Sequence, residues 1–135
     1  MTTTAGAVIV GGGVMGCSIL YNLAERGVTD TVLLEKDLLA SGSTSRTQAI
    51  LRMHYSNEVT ARMAWDSLHV FENFEDLVGT PSGYVRTGYF LAVGEEDRRS
   101  LERNVAMLKG LDIDTDVMSA SGVAEMAPML AVQED

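Results

Sequence analysis

Three glycines spaced as Gly11-x-Gly13-x-x-Gly16, with an acid, Glu35, about twenty residues further on, suit the binding of a nucleotide diphosphate. In such a motif Gly11 permits a tight turn and Gly13 removes a side chain from the path of the diphosphate. Gly16 lets a helix pack close to a strand. Glu35 would accept hydrogen bonds from the two ribose hydroxyls of an adenosine and would repel a 2′-phosphate, which disfavours NADP. No lysine lies between Met1 and Leu34. The anion would be met instead by free N–H groups and the positive dipole end of a helix.

The elements that must position these residues are legible on either side of them. Ala7-Val8-Ile9-Val10 reads as a strand running into the glycines. From Val14 the apolar residues Ile19, Leu20, Leu23 and Ala24 recur at helical spacing, and Gly27 stands where a left-handed cap would close the helix near Arg26. Thr31-Val32-Leu33-Leu34 is apolar without alternation, which predicts a parallel strand buried on both faces. Glu35 then emerges at its C-terminal edge. This order, more than the glycines alone, points to the opening of a dinucleotide-binding βαβ unit. The bland alternatives are an ordinary strand-to-helix turn and a solvated acid beside Lys36 and Asp37.

A loop of small polar residues follows, Ser41-Gly42-Ser43-Thr44-Ser45-Arg46-Thr47-Gln48. Its hydroxyls and amides could wrap a phosphate or ribityl chain while Arg46 supplies charge; its composition also fits a flexible polar linker. Ser56 or Asn57 is placed to cap one long amphipathic helix over 59–78, with Trp65 and the phenylalanines as core. Gly79-Thr80-Pro81-Ser82-Gly83 breaks that helix and marks a domain crossing, giving domains 1–80 and 81–135. Residues 84–93 read as one or two strands. A helix begins at Gly94-Glu95-Glu96-Asp97, carries Leu101, Val105 and Leu108 as its stripe and closes at Lys109-Gly110. A short strand is expected over 112–117. Ser119 or Ser121 would then cap a short helix ending before Pro128.

Composition narrows the classes of function. The 135 residues, 46% hydrophobic, are enough for a modest core. A net charge of −9 argues against nucleic acid and anionic membranes as partners. The single cysteine, Cys17, excludes an internal disulfide and any multi-cysteine metal site, and a buried apolar role is expected for it. No metal site is expected, and His54 and His69 read as ordinary surface or helix histidines. With no basic, apolar leader before the first strand and no stretch of membrane-spanning length, the expectation is a cytoplasmic protein without membrane insertion.

Taken together, the segments resemble the N-terminal third of the FAD-dependent amine and amino-acid oxidoreductases of the D-amino-acid oxidase superfamily. The sarcosine oxidase and sarcosine or dimethylglycine dehydrogenase branch is the nearest in look. The resemblance rests on Val8 through Gly16, Leu33-Leu34-Glu35-Lys36, Ala40 through Ser45, Ile50-Leu51-Arg52-x-x-Tyr55, Arg86 through Ala92 and Glu125-x-x-Pro128. It implies a Rossmann-like FAD-binding βαβ unit followed by the beginning of an α+β substrate domain, an incomplete domain overall. It further implies that Gly11, Gly13, Val14, Met15 and Gly16 hold the FAD diphosphate, that Glu35 and Lys36 lie at the adenosine ribose, and that Ser43, Thr44, Ser45 and Arg46 line a second FAD-contacting segment. Arg52 and Tyr55 would lie near the flavin ring, a structural salt bridge being the other reading of Arg52. Relatives that attach flavin covalently use a histidine in the serine-threonine loop; Ser45 and Arg46 stand there instead, so non-covalent FAD is expected.

The function implied is oxidation of a secondary amine or amino acid by hydride transfer to flavin N5. Because family members are far longer, the expectation is a fragment, a truncated product or a subunit that requires the remainder of the polypeptide or another chain. Two alternatives stand beside it: an NAD-binding dehydrogenase domain, and a catalytically inactive nucleotide-binding module. The serine-threonine loop followed by a long helix favours FAD, since an NAD domain would continue with another strand and helix.

Overall fold

In a computed structural model, which describes residues 4–131, the chain packs as two units, Met1–Ile50 and Leu51–Asp135. In the first, strand β1 (Ala7–Val10), helix α1 (Val14–Glu25) and strand β2 (Thr31–Leu34) form a βαβ unit. The strands pair in parallel, Ala7 opposite Thr31 and Val10 opposite Leu34. Gly11 N–H extends the ladder by donating to Leu34 O at 2.8 Å. Helix α1 stops where the sequence predicts: Arg26 is its cap, Gly27 takes φ +79°, and the Gly27 and Val28 amides donate back to Ala24 O and Leu23 O. A left-handed residue there satisfies carbonyls that the helix leaves unpaired.

The expectation that β2 is covered on both faces is corrected. Ile9 is buried and Ala7, Thr31 and Leu33 are half-buried on the α1 side. On the other side Val8, Val10, Val32 and Leu34 are exposed, Val10 at 84%. A parallel sheet needs a layer on each face, and only one layer is present among the described residues. Cys17 is likewise exposed rather than buried, its Sγ donating to Gly12 O at 3.6 Å.

The second unit is helical among the described residues. Its core holds Ala61, Leu108, Leu111 and Ile113, with Met53, Tyr55, Trp65 and Met107 packed around them. Ala61 and Trp65 come from α2 (Glu58–Glu72), Met107 and Leu108 from α4 (Arg98–Lys109), and the others from the segments beside these helices. Asn57 caps α2, its Oδ1 accepting from Thr60 N–H at 3.1 Å.

The single helix expected over 59–78 is two. Asn73 leaves helical geometry (φ −106°, ψ 20°) and separates α2 from α3 (Phe74–Val78). Both its backbone N–H and its side-chain amide donate to His69 O; a short polar side chain that bonds the preceding turn competes with helix continuation. The strands expected over 84–93 and 112–117 are absent among the described residues. Strand character needs a ladder partner, and none lies alongside; Val85, Tyr89, Phe90 and Leu91 are exposed. Helix α5 (Ala120–Met126) starts as read, with Ser119 Oγ accepting from Gly122 N–H. Packing thus divides the chain at Ile50, before the 80/81 crossing expected from the glycine- and proline-rich break.

Candidate functional site

The glycine turn joins the end of β1 to the start of α1, and each glycine in it meets a different constraint. Gly11 takes φ +104°, a left-handed conformation that side chains rarely adopt, and so turns the chain out of the strand. Gly16 is buried against the turn: a Cβ there would collide with Gly11 O and lie 3.4 Å from Ile9 Cγ2. The absence of that atom brings α1 down onto β1. At Gly13, the N-terminal cap of α1, a Cβ would meet one neighbour within 4 Å, Thr44 Oγ1, at 3.0 Å.

The helix presents its amides without competition from its own side chains. Gly13 offers no capping group and no acid lies in the first turn. The first-turn N–H groups of Val14, Met15 and Gly16 therefore have no intrahelical acceptor. An anion is the natural complement of such an end.

Glu35 reaches this turn from the end of β2. Its Oε2 accepts from Gly12 N–H at 2.7 Å and its Oε1 from Asp37 N–H at 3.0 Å. Those amides, Gly12 first, hold the carboxyl below the ordinary glutamate range, with the Lys36 amide and then its charge adding smaller pulls. A carboxylate has about four lone-pair sites. The Gly12 and Asp37 amides take part of this capacity, and the remainder suits the donor hydroxyls of a ribose. The residues present thus fit an adenosine diphosphate group: open amides for the diphosphate and a fixed, ionised acceptor pair for the sugar.

Gly12, unremarked in the motif because it fills a variable position, is as constrained as its neighbours. It is buried, and a Cβ on it would lie 2.5 Å from Leu39 Cδ2 and 3.1 Å from Glu35 Cβ. Its carbonyl accepts from Ala40 N–H at 2.9 Å. Gly12 therefore binds both the acid and the turn beyond it to the glycine loop. The only signal for it in the sequence is the Gly11-Gly12-Gly13 run, which spacing rules do not interpret.

The serine-threonine loop is folded onto the same turn rather than trailing as a linker. Ser43–Arg46 form a 3-10 turn, Ser45 N–H donates to Ala40 O at 3.0 Å, and Thr44 Oγ1 accepts from Val14 N–H at 3.0 Å. Thr44 is half-buried; Ser43, Ser45 and Arg46 are exposed, as is Lys36.

Arg52 and Tyr55 belong to the second unit. The Arg52 Cζ stands 5.7 Å from the Tyr55 ring centroid, a cation–π separation. The Tyr89 side chain, then Tyr55, holds the guanidinium above its usual value, so it is a permanent cation. Tyr55 in turn packs on the Ala61–Leu108 core. Among the described residues no carboxylate forms a salt bridge with Arg52; its anchorage is aromatic. His69 Nδ1 lies 3.4 Å from Glu72 Oε2, which can accept from it, and the ring is edge-on to Trp65. No group of three or more metal-ligating side chains occurs among the described residues, and no helix there is long and apolar enough to cross a membrane.

A βαβ unit with this turn, acid and loop defines a dinucleotide-binding protein, and comparison with known proteins gives the class. Residues 7–134 match the model of the FAD dependent oxidoreductase (DAO) family, and the chain belongs to that family. It is 37% identical over 131 residues to the mitochondrial pyruvate dehydrogenase phosphatase regulatory subunit of Mus musculus, covering 96% of this chain and 15% of that one. With the mitochondrial sarcosine dehydrogenase of Mus musculus the identity is 29% over 136 residues, covering 99% and 15%. The crystal structure of L-proline dehydrogenase from P. horikoshii superposes with a TM-score of 0.84 at 26% identity, covering 98% of this chain and 35% of the other. The fold is therefore the FAD-binding fold, and the chain spans about 15% of the length of the two curated relatives. FAD is the cofactor of the family.

Proposed function

We propose that this chain forms the adenosine and diphosphate end of a non-covalent FAD site in an enzyme that oxidises a secondary amine or amino acid. The observation that carries the reading is the Glu35 carboxylate, fixed by Gly12 and Asp37 N–H beside the N-terminus of α1 with acceptor capacity left. In this reading Gly11, Gly13 and Gly16 shape the cradle, the Met15 amide faces the diphosphate, and Val14 lies beside it with its own N–H given to Thr44 Oγ1. Glu35 takes the ribose, with Lys36 beside it. Ser43, Thr44, Ser45 and Arg46 close over the cofactor, and Arg52 with Tyr55 serves its ring end. Residues 1–80 supply the cofactor half and 81–135 open the substrate half. Bound there, FAD supplies N5 as acceptor of a hydride from the carbon beside the substrate nitrogen. The protein's own part is to bind, orient and hold charge.

The test is to purify the protein and follow flavin fluorescence during FAD titration, with NADH as comparison. Saturable FAD binding, release of all flavin into the supernatant after acid precipitation, and bleaching of the bound flavin by sarcosine or proline under anaerobic conditions are the expected results. Binding of NADH without FAD would defeat the assignment.

The 37% identity to a regulatory subunit favours a second reading, a nucleotide-binding module without catalysis. It predicts that FAD binds but that no secondary amine or amino acid bleaches it.

A further inference from the structure

Within the second unit, the last turn of α2, helix α3 and the loop after it form an open cleft of about 210 Å³, and none of its lining residues belongs to the cofactor cradle. Phe71, Phe74, Pro81 and Tyr84 give it apolar walls, and Glu72 and Glu75 bring exposed carboxylates to the lining. The Phe71 and Phe74 rings lie 6.3 Å apart between centroids, their planes within 13° of parallel. The loop is fastened to the helices. Ser82 Oγ donates to Phe71 O at 2.8 Å and accepts from Tyr84 N–H at 3.1 Å, and Gly79, at φ +82°, donates its N–H to Glu75 O at 2.8 Å.

The charge around the cleft has one sign. No lysine or arginine stands between Arg62 and Arg86, a stretch that holds Asp66, Glu72, Glu75 and Asp76. Those two arginines are engaged elsewhere, Arg62 with Glu58 and Arg86 with Asp114. Glu72 faces His69 Nδ1, and among the described residues Glu75 and Asp76 enter no salt bridge. Aromatic faces attract cations and carboxylates accept paired N–H donors. A guanidinium meets both, since it stacks on rings and offers a planar fork, where a lysine ammonium is a compact, strongly hydrated charge. The volume lies below the roughly 300–1,000 Å³ of pockets that surround a whole ligand, and it suits one side chain entering from a backbone outside.

We infer that this cleft is a docking site for an arginine side chain carried on a basic segment of a partner protein, the guanidinium resting on the phenylalanine rings with Glu75 as counter-ion. The net charge of −9 favours the approach of such a segment. The site does not depend on the FAD reading.

Titration of the protein with a blocked pentapeptide, arginine flanked by glycines, tests this while NMR follows the ring resonances of Phe71, Phe74 and Tyr84. Saturable shifts of those rings are expected. The same peptide with citrulline, which keeps the shape and loses the charge, binds roughly tenfold more weakly, the combined loss of an exposed ion pair and a cation–π contact. Glu75→Gln, a surface change that preserves shape, weakens the arginine peptide by about threefold and leaves the citrulline peptide unmoved. Unchanged amide resonances of Ala61 and Leu108 establish that the variant keeps its fold. Rings that do not respond, or arginine and citrulline peptides that bind equally, overturn the docking site. Butylammonium binding more tightly than the arginine peptide assigns the cleft to a small amine and overturns it as well.

Discussion

At the residue scale the chemistry is concentrated in Glu35, and its environment gives its protonation a sign. Two backbone amides donate to the carboxylate, so its folded pKa lies below the ordinary glutamate value of 4.5. A group with a depressed pKa stabilises the fold above its unfolded value, and that stabilisation is lost as pH falls through the lowered one. Urea unfolding at neutral pH and near the carboxylate range should therefore show an acid-side decline, part of which disappears in Glu35→Gln. An identical pH profile in wild type and variant would show that the Gly12 contact does not matter to the fold. The residue that spacing rules passed over, Gly12, is the one that donates to Glu35 at 2.7 Å. Its role depends on where β2 ends relative to the turn, information that resides in strand register and not in residue type.

At the scale of elements, the parts that were legible are those whose signals are local. The βαβ unit, its helix stop at Gly27, the Asn57 and Ser119 caps and the apolar stripe of α4 all follow from periodicity or from a side chain bonding an amide three residues on. Strands at 84–93 and 112–117 were not so determined, because apolar runs describe a surface that fits a sheet and not the partner that makes one. The break at Asn73 was missed because apolar spacing continues across it; the competing bond comes from the Asn73 side-chain amide to His69 O. A local signal also makes a local prediction. Asn57→Ala should lower stability by about 1 kcal/mol through loss of the α2 cap, and Asn57→Asp should keep most of it. Denaturant midpoints for the three proteins check this, and equal midpoints for wild type and Asn57→Ala would remove the cap from the account.

At the scale of the whole molecule the notable feature is the apolar surface left open. Val8, Val10, Val32 and Leu34 form one uncovered face of the sheet, and Val85, Tyr89 and Phe90 are exposed in the second unit. Contiguous apolar surface of this kind marks a place of association. The 135-residue chain purified by itself should raise the fluorescence of an apolar dye such as ANS, and Val8→Thr with Val32→Thr should reduce that rise while leaving the parallel pairing in place. A chain that leaves the dye dark would show these residues to be covered in solution. The closeness of the candidate site in sequence has a kinetic side as well. The two bonds that gather Glu35 and Thr44 to the glycine loop span 23 and 30 residues. Loop-closure entropy grows as the logarithm of length, so the second closure costs only about 0.2 kcal/mol more than the first. The cofactor cradle can therefore assemble early during synthesis, from contacts of short range, before the polypeptide beyond it has taken its place.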